Sequence, residues 1–218
     1  MSHSPFPIPR IKICGITRLH DARFCAAAGA DFLGFVQHEA SPRYVRADVA
    51  REIVDWIAGP TPVGVFVDAS ADDVNAICTR AGFRMAQLHG HESPETCAAV
   101  DVPVIKAVRV AHDASAEHVR AMVQPYLGVV DFVLLDTFHT SLLGGTGESF
   151  NWRVARELAS EVDLFLAGGI SAENVVDAVA TMRPYAVDLS SSVESAPGVK
   201  DLDKLAAFFE AVASASGQ

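Results

Sequence analysis

The sequence predicts an α/β protein in which parallel strands alternate with helices and close into one barrel. Eight short apolar segments alternate with eight segments of helical periodicity along the 218 residues. The strands are apolar on both faces, as in parallel sheets that helices cover. These features are typical of a single (β/α)8, or TIM, barrel. A doubly wound open sheet is the alternative, but no dinucleotide fingerprint follows the first strand.

The elements follow in a regular order. The first strand ends at Cys14, and Gly15 and Thr17 then give a turn and a possible helix N-cap. The other predicted strands are 31–36, 63–67, 85–88, 104–108, 132–135, 164–167 and 186–189. The predicted helices are 20–28, 49–57, 71–81, 94–100, 115–123, 152–158, 172–181 and 201–213. Gly29 is expected as a helix C-cap and Ser171 as an N-cap.

The amino-acid composition indicates the cellular compartment and the classes of binding partner. With 17 basic and 27 acidic residues, the net charge of −10 does not suggest a nucleic-acid surface. Four cysteines lie far apart without a C-x-x-C pair, which favours a reducing compartment. No signal peptide or membrane span is evident. We therefore expect a cytoplasmic, monomeric, single-domain protein of residues 1–218, in which 1–9 form a flexible extension.

Two reactive side chains follow strands of the predicted barrel. In such barrels the chemistry lies at the C-terminal ends of the strands. Cys14 stands at the end of the first strand, although a lone cysteine more often serves as a small buried hydrophobe. Asp136 follows an apolar strand, where desolvation would favour its protonated form and make it a useful acid. A carboxylate tied to a nearby loop N–H is the alternative.

Two loops rich in small residues follow the last two strands. Gly168 and Gly169 follow the seventh strand, and Ser190, Ser191 and Ser192 follow the eighth. Their backbone N–H groups can bind a phosphate, and barrels of this kind commonly hold one at these units. Each loop alone could also be ordinary turn chemistry. Together they predict an anionic, phosphorylated small-molecule ligand.

Arginine and histidine residues near the strand ends are weaker candidates. Arg43 lies in the long connection after the second strand, where its guanidinium could bind a ligand carboxylate in a bidentate manner or simply face solvent. His89 and His91 are too closely spaced, and too poor in acidic or thiol companions, to predict a metal site. A glycine-rich loop at 144–147 interrupts the alternation of strands and helices.

At these positions the chain resembles the N-(5'-phosphoribosyl)anthranilate isomerase family of tryptophan biosynthesis. The resemblance runs nearly end to end. The matching motifs are KICGIT at 12–17, SPR at 41–43, QLHG at 87–90, IKA at 105–107, LLDT at 134–137, GGTG at 144–147, AGGI at 167–170, VDLSS at 187–191, PG at 197–198 and KD at 200–201.

The resemblance implies an isomerase that carries out an Amadori rearrangement without a cofactor. It implies that Cys14 is the general base and Asp136 the general acid. Some local stabilisation of the thiolate is then expected, because a free thiol has a pKa of about 8.5. Arg43 would hold the anthranilate carboxylate, and Asp188 would lie near the anthranilate end of the substrate.

Further site residues come from the matching motifs. The QLHG motif implies that Gln87 and His89 bind substrate. The GGTG motif implies a loop over the site. Its residues are Gly144, Gly145, Thr146 and Gly147.

Four positions depart from the family pattern. Ser192 replaces a glycine, which would carry a steric cost if the backbone has a positive φ there or must approach the phosphate closely. Asn151 replaces an aspartate, and Gln37-His38 replaces a pair that is commonly apolar or aromatic. Two alternatives follow: a catalytically weak paralogue that binds a phosphorylated aromatic ligand, and an isomerase for another aminoribose phosphate.

Overall fold

Eight parallel strands form a closed barrel in which each strand pairs with the next and the last pairs with the first. The computed structural model describes residues 9–111, 114–138, 156 and 158–215. The barrel strands are β1 Arg10–Cys14, β2 Phe32–Val36, β3 Thr61–Phe66, β4 Met85–Leu88, β5 Val104–Ala111, β6 Phe132–Phe138, β7 Asp163–Ala167 and β8 Ala186–Leu189. The predicted (β/α)8 barrel is confirmed, and the open sheet is excluded because β8 pairs with β1.

Seven α-helices occur among the described residues. They are α1 Leu19–Ala28, α2 Ala47–Asp55, α3 Ala71–Ala81, α4 Pro94–Ala98, α5 Ala116–Val123, α6 Val175–Met182 and α7 Leu202–Ala215. A short antiparallel pair, β9 Glu194–Ala196 and β10 Val199–Lys200, follows β8. The predicted helix 152–158 lies largely outside the described residues, as do residues 1–8 of the predicted extension. No helix in the described part of the chain is long and apolar enough to cross a membrane.

Two of the predicted helix caps are wrong. Gly29 is confirmed as the C-cap of α1, in the left-handed region at φ 97°. The N-cap of that helix is Arg18, however, and the Thr17 hydroxyl donates instead to the carbonyl of Gly198 at 2.5 Å. Helix α6 begins at Val175, and the Asn174 side chain accepts a hydrogen bond from the N–H of Ser171 at 2.9 Å. Tertiary contacts and the longer turn replace the local capping that the sequence predicted.

The two faces of the barrel bury different apolar clusters. Outward-facing strand residues pack against the helices in a large cluster that includes Ile13, Phe35 and Leu135. Inside the barrel, a smaller cluster surrounds Phe165, whose ring centroid lies 5.3 Å from that of Phe32. This apolar floor leaves the C-terminal ends of the strands for polar side chains.

The interior cluster gives a test of the packing. We expect Phe165→Ala to lower the free energy of unfolding by about 3–5 kcal/mol, because it removes a fully buried ring and leaves a cavity. Val176→Ala, at a position that is 44% exposed on α6, should change it by less than about 0.5 kcal/mol. Denaturant unfolding of the two variants measures both effects. Equal stabilities would contradict this account of the interior.

Candidate active site

A cavity of about 450 Å³ lies at the C-terminal ends of the strands. Every predicted site residue within the described ranges lines it: Cys14, Arg43, Gln87, His89, Asp136, Gly168, Gly169, Asp188, Ser190, Ser191 and Ser192. The predicted loop of Gly144, Gly145, Thr146 and Gly147 lies outside the described residues. Residues from both ends of the sequence therefore meet in one space, as the strand-end rule predicts.

Cys14 lies at the end of β1 with its side chain over Gly34 of β2. The two residues are register partners, and a Cβ atom at Gly34 would lie only 2.8 Å from Cys14 Sγ. The missing side chain at Gly34 therefore makes room for the thiol, which is 8% exposed. Burial raises the pKa of Cys14 above its ordinary value, although the ammonium groups of Lys12 and Lys200 oppose this. The expected stabilisation of the thiolate is present, but burial outweighs it.

Lys12 and Asp188 form a buried ion pair between the first and last strands. Lys12 Nζ lies 2.9 Å from Asp188 Oδ1, and the lysine is fully buried. Burial acts to lower the pKa of Lys12, but Asp188 and Cys14 together raise it. Burial raises the pKa of Asp188, and Lys12 offsets this only in part. Sequence reasoning missed Lys12, although its spacing of two from Cys14 puts both residues on one face of the strand.

Asp136 is not isolated against apolar surface. His89 Nε2 lies 3.3 Å from Asp136 Oδ2, and the Gln87 amide nitrogen lies 2.8 Å from His89 Nδ1. When the amide donates to Nδ1, the imidazole proton stands on Nε2 and faces the carboxylate. The Asp136 side chain is 27% exposed. The side-chain oxygen of Gln87 is buried and has no hydrogen-bond partner among the described residues, so it can accept a bond from a ligand.

Arg43 is already paired with a carboxylate that the sequence analysis did not select. Its Nε and Nη2 atoms donate to Glu194, with the shortest contact 2.6 Å between Nη2 and Oε2. Lys200 Nζ also bonds Glu194 Oε1 at 2.9 Å and the carbonyl of Cys14 at 2.6 Å. Burial acts to raise the pKa of Glu194, but Arg43 and Lys200 lower it below its ordinary value. The arginine is thus fixed by β9 and is no free surface residue.

The loops after β7 and β8 line the cavity together. Gly168 and Gly169 have φ values of 88° and 74°, a region that favours glycine. Ser192, which replaces a glycine of the family pattern, lies in a short 3-10 helix, Ser191–Val193, and is not among the described residues with positive φ. Ser192 therefore carries no backbone strain of the kind that a positive φ would cause.

The Gln37-His38 pair divides between two environments. The Gln37 amide donates to the carbonyl of Val45 at 3.1 Å, and only His38 of the two lines the cavity. Arg109, a register partner of Asp136 on the neighbouring strand, also lines it. Within the described ranges, no three His, Cys, Asp or Glu side chains are grouped to hold a metal ion.

The carboxylate of Glu194 gives a test of the network. We expect Glu194→Gln to lower the free energy of unfolding by about 1.5–3 kcal/mol near pH 7, because the amide loses charge-assisted bonds to two cations. The folded-state pKa of Glu194 is lowered. The charged carboxylate therefore stabilises the wild-type protein fully at pH values above the unfolded-state pKa of about 4.3. This stabilisation is lost as the pH falls through the folded-state pKa of Glu194.

The measurement is denaturant unfolding of both proteins over this pH range. Glu210→Gln, at an exposed position of α7, is the matched control and should leave stability and its pH dependence nearly unchanged. A difference between wild-type protein and Glu194→Gln that stays constant down to low pH would contradict the proposed charge network.

The family model, the relatives and the solved structures that resemble this chain agree with one another. Residues 11–211 match the family model described as N-(5'phosphoribosyl)anthranilate (PRA) isomerase. The N-(5'-phosphoribosyl)anthranilate isomerase of Geobacter sulfurreducens is 45% identical over 203 residues, covering 91% of this chain and 96% of that protein.

Two solved structures share the fold closely. Phosphoribosyl anthranilate isomerase from Thermotoga maritima has a TM-score of 0.84 and 36% identity, covering 94% of this chain and 99% of that chain. A phosphoribosyl anthranilate isomerase in complex with reduced 1-(o-carboxyphenylamino)-1-deoxyribulose 5-phosphate has a TM-score of 0.82 and 34% identity, with the same coverage.

Proposed function

The chain belongs to the N-(5'-phosphoribosyl)anthranilate isomerase family, and we propose that Cys14 and Asp136 are the general base and the general acid of its reaction. The activity is the Amadori rearrangement of N-(5'-phosphoribosyl)anthranilate to 1-(2-carboxyphenylamino)-1-deoxyribulose 5-phosphate, in tryptophan biosynthesis. The observation that carries the residue assignment is that a thiol and a carboxylate from β1 and β6 face one cavity.

The acid acts first in this mechanism. Asp136 gives its proton to the ring oxygen of the aminofuranose, and the ring opens to an iminium ion. His89 Nε2, at 3.3 Å from Asp136 Oδ2, fixes the carboxyl group and stabilises the carboxylate that remains. The Gln87 amide holds the imidazole in the required tautomer.

The base acts on the opened chain. Cys14, as thiolate, removes the proton at C2' of the ribose, and the electrons of the C–H bond form the enol that becomes the ketone product. The acid and the base come from different strands around the barrel, so they can approach the ribose from two sides. The enol becomes the ketone when O2' loses a proton and C1' gains one. Return of a proton from the Cys14 thiol to Asp136 through solvent then restores both groups.

The two ends of the substrate have separate binding groups in this proposal. Glu194 occupies Nε and Nη2 of Arg43, so the Nη1 side of the guanidinium is the edge offered to the anthranilate carboxylate. Asp188 lies near the anthranilate end, and the free side-chain oxygen of Gln87 accepts a bond from the substrate. The phosphate binds the small-residue loops, whose members are Gly168, Gly169, Ser190, Ser191 and Ser192.

The alternative of a weak paralogue is less well supported. It depended on Ser192 and on Gln37-His38. Ser192 has no positive φ, and the Gln37 side chain is bound to the Val45 carbonyl, so only His38 of that pair lines the cavity. The family match over residues 11–211 and the position of Cys14 and Asp136 at the cavity favour the isomerase.

Two variants test the acid and the base. We expect Cys14→Ala and Asp136→Asn each to lower kcat by about 10²–10⁴-fold with much smaller changes in KM, because each removes a proton-transfer group. Steady-state kinetics with N-(5'-phosphoribosyl)anthranilate measures this. Cys78→Ala and Asp177→Asn lie on α3 and α6, do not line the cavity, and should retain wild-type kcat. A wild-type kcat in Cys14→Ala or Asp136→Asn would contradict the proposed role of that residue.

We also propose that the protein is a monomer in the cytoplasm. Its four cysteines are free, which is typical of a reducing compartment. Large apolar side chains are exposed at few positions in the described ranges: Val49 and Trp56 on and just after α2, Val129 in the connection after α5, and Val176 on α6. The relative from Thermotoga maritima is dimeric, so the two proteins would differ.

Light scattering coupled to size-exclusion chromatography tests the oligomeric state. We expect the molar mass of one chain at all concentrations, because few large apolar side chains are exposed in the described part of the chain. A mass of two chains that persists on dilution would contradict the monomer.

A further inference from the structure

A buried cation is shared by two acids beneath the site. Lys12 bonds Asp188 Oδ1 at 2.9 Å, and the charge of its ammonium also acts on the neighbouring Cys14 thiol. Lys12 and Cys14 are two residues apart on β1, and Asp188 is the register partner of Lys12 on β8. One positive charge therefore faces two groups that can each carry a negative charge.

Gly34 keeps the cation and the thiol together. A Cβ atom at this glycine would lie 2.8 Å from Cys14 Sγ and 3.2 Å from Lys12 Nζ, so both atoms occupy the space above one residue. Lys12 is fully buried. The ammonium and the thiol are therefore neighbours in the barrel interior.

The other charged groups around Cys14 form ion pairs with other residues. Lys200 Nζ, on β10, bonds the Cys14 carbonyl but also Glu194, and Glu194 in turn binds Arg43 from the loop after β2. On the far side, Asp136 of β6 pairs with His89 after β4. Strand β2 contributes the uncharged Gly34. Of the two ammonium groups that act to lower the pKa of the thiol, Lys12 has the larger effect and Lys200 the smaller.

We propose that Lys12 is a positioning residue for the base: its ammonium stabilises the thiolate form of Cys14 while Asp188 takes up the proton that the thiol releases. This inference rests on the proposed function, because it concerns how Cys14 becomes able to accept the C2' proton. It assigns Asp188 a role as proton acceptor in addition to its place beside the substrate.

The proton transfer balances without any outside partner. Lys12 gives one N–H proton to Asp188 Oδ1, and its nitrogen takes the S–H proton of Cys14. The cluster changes from thiol, ammonium and carboxylate to thiolate, ammonium and carboxylic acid. The net charge of the three groups is zero before and after, so the buried site gains no uncompensated charge.

The effects of the two neighbours on Cys14 have opposite signs. The Lys12 ammonium acts to lower the pKa of the thiol, whereas the Asp188 carboxylate acts to raise it. Removing the lysine and neutralising the aspartate should therefore shift the titration of Cys14 in opposite directions. Loss of folding would not do this, because it would bring both variants toward the pKa of a free thiol.

The experiment measures the pH dependence of Cys14 alkylation by iodoacetamide, with the modified peptide identified by mass spectrometry. We expect Lys12→Met to move the midpoint upward by about one pH unit or more, and Asp188→Asn to move it downward, because a charge within about 4–6 Å shifts a pKa by about 1–3 units. The double variant Lys12→Met/Asp188→Asn covers the case in which Lys12→Met does not fold. Its midpoint should lie above that of Asp188→Asn alone.

The chain provides a matched control. Lys106 is also buried and bonds Glu92 at 2.7 Å, but it lies on the helix-facing side of β5. Lys106→Met should lose stability without moving the midpoint of Cys14. Cys25 and Cys78, buried with pKa values raised to about 12, report within each sample that the protein is folded when they stay unmodified.

Two outcomes overturn the inference: a midpoint that is unchanged or lowered in Lys12→Met, or equal midpoints in the double variant and Asp188→Asn. The alkylation measurement does not need turnover. Failure of the proposed function would instead appear as full activity in Cys14→Ala, so the two failures are distinguishable. In the supporting outcome, the thiolate limb of the kcat profile moves upward in Lys12→Met together with the alkylation midpoint.

Discussion

The buried contact between Lys12 and Asp188 is the constraint on which the site depends. It joins the first strand to the last, at the seam where the barrel closes, and it places a full charge directly below the cavity. A charge in such a position is costly unless it is paired and hydrogen-bonded. Strand register fixes the positions of both partners. The pairing of β1 with β8, which closes the barrel, therefore determines which charges surround the Cys14 thiol.

A second network fixes the mouth of the cavity to the same strand ends. Glu194 binds Arg43 from the loop after β2 and Lys200 from β10, and Lys200 reaches back to the Cys14 carbonyl. The guanidinium is thereby held before any ligand arrives, with one edge occupied. Such fixing reduces the side-chain entropy that binding a carboxylate would otherwise cost.

Much of the fold and part of the site could be predicted from the sequence. Apolar periodicity depends on local order, so β4 and β8 were predicted with the bounds that the structure has, and α3 likewise. The strand-end rule placed Cys14 and Asp136 at one cavity. The predicted N-caps at Thr17 and Ser171 were wrong. The Thr17 hydroxyl donates to the distant carbonyl of Gly198, and the Asn174 side chain accepts from the N–H of Ser171 in the turn before α6.

The sequence by itself determined the alternation of strands and helices, the small-residue loops after β7 and β8, and the motifs that identify the family. Only the tertiary structure decided which charges meet. Lys12 and Asp188 are 176 residues apart, and Arg43 and Glu194 are 151 apart. These pairs form because barrel closure and strand register bring residues that are distant in sequence close together in space. A local sequence pattern carries no information about such contacts.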